Sequence, residues 1–236
     1  MKRILLSLIA LAMTVAGAHA QNAFLEENEF SFMGLFGMNI SNMHYKNQPG
    51  MELNPKVGFN LGVRGEYVLP SCHGMFVNAG LEYTMKGGRE RIETTIDDML
   101  GIGGTYIARP CYVSIPIHIG YRYEVLDMLG VYADFGPYFA VGTNGKFRTK
   151  LDDFSDDATE TIFKKQDGMR AYQRFDCGLG FRLGAEYAKH YNFILGFDWG
   201  LTDIYTQEMK HFLHQEGLTN ASCKNFCANL TFGYRF

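Results

Sequence analysis

The stretch FDCGLGFRLGAEY (residues 175–187), followed after a short link by FILGFDWGL (residues 193–201), decides the fold. Each stretch alternates large apolar residues with small or polar ones, which is the period of a β-strand with two different faces. In the second stretch, Phe193, Leu195, Phe197, Trp199 and Leu201 alternate with Ile194, Gly196, Asp198 and Gly200. The pattern predicts a β-hairpin with one apolar and one polar face.

The same alternation recurs along most of the chain and predicts about eight strands. It is most regular in NLTFGYRF (residues 229–236) and is blurred in FSFMGLFGMNIS (residues 30–41), where Met33 and Leu35 fall on the wrong face. Each strand is near the roughly 9 to 11 residues that cross a bilayer at a tilt. After residue 20, no stretch approaches the roughly 18 to 20 continuous apolar residues of a membrane helix. We therefore predict an all-β fold, a closed antiparallel transmembrane β-barrel.

The links between the predicted strands alternate between short and long. The short links are LPSCHG (69–74), EVLDML (124–129) and AKHY (188–191). The long links are NMHYKNQPGMELNP (42–55), GGRERIETTIDDMLGIGG (87–104), KFRTKLDDFSDDATETIFKKQDGMR (146–170) and YTQEMKHFLHQEGLTNASCK (205–224). This alternation is typical of outer-membrane barrels, with short periplasmic turns and long external loops.

The beginning of the chain has the features of a secretory signal, because Lys2 and Arg3 precede an apolar run that ends in small residues. We predict a cleaved signal peptide over residues 1–20, a short periplasmic segment over 21–29 and an outer-membrane β-barrel over 30–236. The predicted location is the outer membrane of a Gram-negative bacterium. Cleavage leaves 20 basic and 25 acidic residues, a formal charge of about −5, and no basic patch indicates a nucleic-acid partner.

Glycine placement separates this barrel from the alternative of a soluble lipocalin-type barrel, whose apolar face points inward. A water-facing surface has no reason to avoid side chains, whereas the lumen of a barrel of about eight strands has little room for them. The polar face is therefore predicted to line the lumen, and the apolar face to contact lipid. The polar-face glycines are Gly58, Gly62, Gly80, Gly120, Gly136, Gly142, Gly178, Gly180, Gly184, Gly196, Gly200 and Gly233.

Charged residues of both signs lie on the predicted lumen face, and they should pair because an unpaired charge in a dry lumen is very costly. A turn of about three residues near His190 would place Arg182 and Asp198 directly opposite each other. By the same reasoning, Asp134 is expected to reach Arg122 or His118. The pairs predict a structural plug, with a proton or ion relay as the alternative. The candidate set is Arg64, Glu82, His118, Arg122, Asp134, Arg182 and Asp198.

The ordered strands resemble those of a known family. GFNLGVRGEYVLP (58–70), VSIPIHIGYRYE (113–124), GVYADFGPYFAVG (130–142) and GFDWGLTDIY (196–205) are similar to successive strands of the PorT-like, porin-family outer-membrane β-barrel proteins of Bacteroidota. The resemblance covers nearly all of the chain after the signal. It implies a β-signal, by which the barrel assembly machinery recognises an outer-membrane strand, formed by Leu230, Phe232, Tyr234 and Phe236.

The expected function is non-enzymatic: an envelope scaffold, or binding by the long external loops, with a lumen filled by side chains. The expected partners are outer-membrane lipid, the barrel assembly machinery and an unknown ligand or partner at the loops. The charged lumen motivates the alternative of a narrow porin-like channel for ions or very small solutes. Further alternatives are a membrane enzyme that uses His211, His214 and Ser222, and a secretion-system accessory barrel.

We expect neither a cofactor nor a metal. The sequence has no cluster of His and Cys at metal-ligand spacing, and the acidic run DDFSDD (152–157) is interpreted as a solvated loop rather than a cation site. Five cysteines leave at least one free thiol. Cys223 and Cys227 are candidates for a disulfide, whereas Cys111 and Cys177 are expected to face lipid.

Overall fold

The structure, a computed structural model, describes residues 30–47, 54–70, 74–94, 102–126, 128–151, 158–164, 170–215 and 217–236. The predicted signal peptide, the segment 21–29, Cys72 and the acidic run 152–157 lie outside the described residues. Within these ranges, no helix has the length and apolar character needed to cross a membrane. The elements are β1 (Phe30–Lys46), β2 (Asn54–Val68), β3 (Met75–Met85), β4 (Gly88–Thr94), β5 (Ile102–Leu126), β6 (Leu129–Leu151), β7 (Ala158–Thr161), β8 (Phe175–Tyr187), β9 (Tyr191–Gly200), α1 (Gln207–Gln215) and β10 (Ser222–Arg235).

The strands form a closed antiparallel ring. β1 pairs with β2 on one side and with β10 on the other, and the ring continues through β3, β5, β6, β8 and β9. β4 follows β3 after a break at Gly87, where φ is +136°, and β7 adds to one edge of β6. The wall therefore has eight strands, which confirms the prediction of a closed antiparallel barrel of about eight strands.

The wall carries its polar residues inside and its apolar residues outside. Asp134 and Arg182 point into the barrel and are each only 2% exposed. In contrast, Phe193 is 57% exposed and Leu230 is 64% exposed. An exposed apolar band of this extent suits a lipid bilayer, whereas in water it would be an association surface. The polar face lines the lumen, as the glycine pattern predicts.

The blurred alternation of β1 has a structural reason. Met33 and Leu35 point into the barrel and are 4% and 2% exposed. They pack with Phe76, Tyr132 and Ile194 in an apolar cluster inside the wall. This part of the lumen is therefore filled by apolar side chains, and the residues that break the alternation are the ones that fill it.

Two of the predicted long links are partly β-sheet. β5 has 25 residues and β6 has 23, more than twice the roughly 10 residues that cross a bilayer. β4 pairs with the added length of β5, and β7 pairs with that of β6. The prediction of loops over 87–104 and 146–170 is therefore wrong in part. Backbone pairing carries the sheet past the barrel, and the Thr and Ile residues of these segments suit strands.

The four described cysteines are free. Cys223 and Cys227 lie four residues apart in β10, about 13 Å along an extended strand, so they are too distant to form a disulfide. Cys177 is half-buried. Cys111 is buried rather than exposed to lipid as predicted, and the register of β5 against β6 shifts next to it, between Cys111 and Tyr112.

Candidate functional site

The central ion pair of the lumen joins Arg182 on β8 to Asp198 on β9. Nη2 of Arg182 lies 2.7 Å from Oδ1 of Asp198. The prediction that these residues are directly opposite each other is wrong, because Arg182 is opposite Gly196. The turn comprises residues 188–190 and is centred one position before His190, so the pairing shifts by two residues. The long arginine side chain reaches its partner diagonally.

A second buried contact of the lumen joins His118 on β5 to Asp134 on β6. Nδ1 of His118 lies 2.5 Å from Oδ1 of Asp134, and both side chains are fully buried. Arg64 on β2 approaches Oδ2 of Asp134 at 3.9 Å and makes its closer contact, 3.0 Å, with Glu82. Of the two partners expected for Asp134, the structure brings His118 to it and directs Arg122 to other carboxylates.

Gly180 leaves room for the His118 ring. A Cβ atom at position 180 would lie 2.7 Å from Nε2 of His118 and 3.1 Å from Oδ1 of Asp198. The distance of 2.7 Å to Nε2 is too short for two non-bonded atoms in a packed interior. A side chain at position 180 would therefore collide with the imidazole that contacts Asp134, which explains one of the polar-face glycines.

Two arginines and two glutamates form a four-membered cluster at the end of the barrel that carries the short turns. Arg122 lies 2.6 Å from Glu66 and 3.5 Å from Glu186. Arg235 lies 2.9 Å from Glu186 and 3.1 Å from Glu66. The guanidinium of Arg122 also lies 4.9 Å from the ring centroid of Phe76, close enough for a cation–π contact. Each carboxylate thus contacts both arginines.

The candidate set leaves out three of these residues, Arg235, Glu66 and Glu186, although all three fall on the predicted polar face. Arg235 falls between Tyr234 and Phe236 on the polar face of the last strand, and this position is the signal that identifies it. The pairings themselves cannot be recognised in the sequence of any one strand, because β10, β2 and β8 all contribute residues to the same cluster.

At the opposite end of the lumen, which carries the long loops, a buried lysine is held by a carboxylate and an aromatic ring. Nζ of Lys86 lies 3.4 Å from Oδ2 of Asp176 and 4.5 Å from the ring centroid of Tyr138. Nδ2 of Asn225 donates to the same carboxylate oxygen at 2.9 Å. The lysine charge is therefore compensated although the side chain is only 3% exposed.

The charges of the lumen nearly balance. The six carboxylates of the pairs described above face five lysine or arginine cations, and His118 supplies a sixth positive charge when it is protonated. Because every member has a partner of opposite sign, the desolvation cost of burying these charges is offset locally. The carboxylates are Glu66, Glu82, Asp134, Asp176, Glu186 and Asp198, and the cations are Arg64, Lys86, Arg122, Arg182 and Arg235.

Loop residues fill the mouth of the barrel at the long-loop end. Phe163 is 3% exposed, and its ring centroid lies 5.9 Å from that of Tyr112 on β5. Gly142 on β6 leaves space for the Phe163 ring, since a Cβ atom there would lie 2.8 Å from ring carbons. We call this group the loop cap, and its members are Ile162, Phe163, Tyr172, Ile204, Tyr205 and Leu213.

Backbone hydrogen bonds join the segments that form the loop cap. The amide of Gln173 donates to the carbonyl of Ile204 at 2.8 Å, and the amide of Thr206 donates to the carbonyl of Ala171 at 3.1 Å. The hydroxyls of Tyr45 and Tyr172 lie 3.4 Å apart. The connection before β8 and the connection after β9 therefore form one ordered unit over the mouth.

Asp203 fixes the connection after β9. Its Oδ1 accepts hydrogen bonds from the amides of Tyr205 at 3.1 Å and Cys223 at 3.0 Å, and its Oδ2 lies 2.7 Å from Nζ of Lys210 on α1. Burial alone would raise the pKa of Asp203. The hydrogen bonds from Lys210, Cys223 and Tyr205 outweigh burial and lower the pKa below its usual value.

Acid is expected to loosen this part of the loop cap. Because the pKa of Asp203 is lower in the folded state than its unfolded value of about 3.9, the carboxylate stabilises the fold above that value, and this contribution is lost as the pH falls through the folded-state pKa. The amides of Tyr205 and Cys223 should lose hydrogen-exchange protection below about pH 4, after correction for intrinsic rates. Asp203→Asn should reduce protection already at neutral pH. Protection of the wild type that is equal at about pH 7 and about pH 3 would contradict this role.

The residues of the enzymatic alternative are not joined in the described structure. His211 and His214 lie on α1, and Ser222 begins β10. Nε2 of His211 lies 3.3 Å from Nε2 of Gln215, and no hydrogen bond among the described residues connects Ser222 to either histidine. The arrangement therefore lacks the contact between nucleophile and base that defines a catalytic triad.

The residues of the proposed β-signal lie on the outer face of β10. Leu230 and Phe236 are each 64% exposed, and Phe232 and Tyr234 are about 40% exposed. The ring centroid of Tyr234 lies 5.7 Å from that of His190. β10 pairs with β1 and so closes the barrel. The same strand carries aromatic side chains on its outer face and the cation Arg235 on its inner face.

The chain is similar to several known proteins. Residues 19–206 match the model of a family described as outer membrane protein beta-barrel domain. Neisserial surface protein A (NspA) is 12% identical, with a TM-score of 0.41, over 88% of this chain and 96% of that chain. Ail, the attachment invasion locus protein of Yersinia pestis, is 15% identical, with a TM-score of 0.41, over 89% and 100%. OprG from Pseudomonas aeruginosa is 14% identical, with a TM-score of 0.43, over 88% and 96%. No match was found among curated proteins.

Proposed function

The chain belongs to the family of the outer membrane protein beta-barrel domain, and from this premise we propose that it works in the outer membrane as a sealed, non-enzymatic barrel. Its long-loop end faces outward and binds a partner or supports the envelope, and its short turns lie in the periplasm. Residues 1–20 act as a cleaved signal peptide. The strand motifs support a finer placement among the PorT-like proteins of Bacteroidota, and Leu230, Phe232, Tyr234 and Phe236 act as the signal for the assembly machinery.

The filled lumen is the observation that carries this proposal. From one end to the other it contains the Arg122 and Arg235 cluster, the Arg182–Asp198 pair and the Lys86–Asp176 pair. The loop cap then covers the mouth. A barrel of about eight strands has an interior just wide enough for side chains. Ions would need a continuous water path, and we infer that these layers interrupt it.

The ordered long-loop end supports a binding role. Nδ2 of Asn47, after β1, donates to the carbonyl of Asn220, before β10, at 3.2 Å. The amide of Arg170 donates to a carboxylate oxygen of Glu208 on α1 at 2.8 Å. Together with the sheet extension by β4 and β7, these contacts form a rigid platform, and binding residues are commonly presented on loops held by such a scaffold.

The test is planar-bilayer conductance of the refolded mature protein. The wild type should be silent, whereas Arg182→Ala and Asp198→Ala should each leak, because removal of one partner opens the central layer and leaves a buried charge to be hydrated. Leu195→Ala is the matched control, since it shortens an outward side chain of the same hairpin, and it should stay silent. Steady wild-type current that changes with Asp198→Ala would overturn the sealed barrel in favour of a narrow channel for ions or very small solutes.

A further inference from the structure

The sheet that extends beyond the barrel has one strongly basic face. The extension consists of β4, β7 and the added lengths of β5 and β6, and residues paired across neighbouring strands lie on the same face. We propose that this face binds a polyanionic polysaccharide, whose sulfate or carboxylate groups recur along the chain. We call it the basic face, and its cations are Arg89, Arg91, Arg109, Lys146, Arg148 and Lys150.

Backbone pairing arranges these cations in three successive rows across the strands. In the row nearest the barrel, Arg109 on β5 is directly opposite Lys146 on β6. Successive rows are about 7 Å apart, because residues on one face of a strand are two positions apart. From the barrel outward, the rows are Arg109–Lys146–Thr161, Arg89–Ile107–Arg148–Thr159 and Arg91–Thr105–Lys150.

An extra residue in β6 decides which of its residues lie on the basic face. The register of β5 against β6 shifts next to Cys111 and skips Thr143, whose hydroxyl donates to the carbonyl of Cys111 at 3.2 Å. One added residue moves every following residue of the strand to the other face. Without it, this face would receive Gly145, Phe147 and Thr149 in place of the three cations of β6.

The basic face continues the outer wall of the barrel. Arg109 lies six positions before Ile115 on β5, an even spacing that puts both residues on the same side of the strand. Ile115 is 47% exposed, and Arg109 and Lys146 are also exposed. Six positions of strand span about 20 Å, so the face follows the apolar band at the long-loop end. In the orientation of the proposed function, on which this inference rests, it faces the outside of the cell.

The paired strands supply few carboxylates to neutralise this face. Arg109 and Lys146 are like charges directly opposite each other, which is unfavourable in a sheet without a counterion. Among the residues that pair in the extension, Glu90 and Glu160 fall on the opposite face, and Glu93 alone shares the basic face. Its six cations and one carboxylate give a formal charge of +5, although the mature chain is acidic as a whole.

No run of the sequence shows this concentration of charge, because the cations come from three strands and alternate with other residues. Four of the six are arginines, whose planar guanidinium groups bind oxyanions with two parallel hydrogen bonds. Single-stranded nucleic acids also need aromatic rings on which their bases stack, and the three rows contain only threonine and isoleucine besides the cations. Evenly spaced charges without such rings favour a polysaccharide with a repeated anionic group.

The test measures the binding of short fluorescein-labelled dextrans to the refolded mature protein in zwitterionic micelles, by fluorescence anisotropy at about 0.15 M salt. Dextran sulfate and carboxymethyl dextran should bind the wild type, and uncharged dextran should not. Arg109→Gln combined with Lys146→Gln should bind both charged dextrans about tenfold more weakly, because two exposed charge contacts are lost.

Lys46→Gln combined with Lys224→Gln is the matched control. Both lysines are exposed at the same end of the barrel, but they lie on β1 and β10, on the far side of the ring. This variant loses the same charge and should bind like the wild type. The heat-dependent shift in electrophoretic mobility confirms that each variant is folded.

Several results would overturn the proposal. These are a wild type that binds neither charged dextran, or an equal loss of binding in the two double variants. Tighter binding of a single-stranded oligonucleotide would assign the face to nucleic acid. Loss of dextran binding when lipopolysaccharide is added to the micelles would assign it to phosphates of the surrounding membrane. A barrel that conducts ions but binds dextran sulfate would overturn the sealed lumen alone. Binding by the purified protein but not by intact cells that display it would overturn the outward orientation alone.

Discussion

Replacement of Arg182 by alanine is expected to lower the free energy of unfolding by about 3–5 kcal/mol. The substitution leaves Asp198, whose side chain is 12% exposed, without its cation at 2.7 Å. It also removes the hydrogen bonds that Nη1 of Arg182 donates to the carbonyls of Phe181 and Phe197, each at 3.1 Å. Urea unfolding in phospholipid vesicles measures the change.

A double replacement distinguishes the contribution of the ion pair to stability from that of side-chain packing. Arg182→Met with Asp198→Leu removes both charges and keeps apolar volume, so its stability should be close to that of the wild type. Asp198→Ala alone should be costly, because the guanidinium of Arg182 stays buried without its partner. If the double variant is as unstable as Arg182→Ala, the loss comes from packing, and the ion pair is not the reason for the stability of the central layer.

Gly184→Ala is expected to destabilise the barrel by about 3 kcal/mol, at the upper end of overpacking effects. A Cβ atom at position 184 on β8 would overlap the ring of Tyr132, which extends from the paired position on β6 over the inner surface of β8. Tyr132 is 5% exposed and is packed against Phe76. The ring therefore cannot move aside without disturbing the apolar cluster inside the barrel.

The cause can be isolated by a double-mutant cycle in the same vesicle assay. Tyr132→Ala removes the ring, so Gly184→Ala should cost less than about 1 kcal/mol in that background. Gly130→Ala is the matched control, since its nearest neighbour would be 3.7 Å away, and it should change stability little. An equal cost of Gly184→Ala with and without the Tyr132 ring would exclude this contact as the cause.

The wall of the barrel could be predicted from the sequence, because the alternation within each strand shows which residues lie on each of its two faces. Period-two alternation needs no knowledge of neighbouring strands, so it correctly assigned Arg182 and Asp198 to the lumen and Phe193 to the lipid face. The alternation is blurred at Met33 and Leu35, since apolar side chains that fill a lumen have the same character as those that face lipid. The lengths of the strands were also hard to predict, because β5 and β6 remain paired beyond the length that crosses the bilayer.

Several contacts within the lumen could not be predicted, because they join strands that are not neighbours. Arg64 on β2 reaches Asp134 on β6, and Arg235 lies 169 positions from Glu66. Hairpin register relates only adjacent strands, so it suggested Arg122 as a partner of Asp134. In the structure Arg122 lies over the Phe76 ring and between two glutamates instead. The loop cap likewise depends on contacts between distant connections.

The seam between β1 and β10 determines how the barrel can come apart. Fourteen residue pairs join these two strands, and Arg235 beside the seam is shared by Glu66 on β2 and Glu186 on β8. Separation of the seam would break the ladder and remove Arg235 from Glu66 in the same event. We therefore expect the fourteen pairs of the seam to separate together rather than one by one. The rate of that event, more than the equilibrium stability, is then expected to set the lifetime of the protein in the membrane.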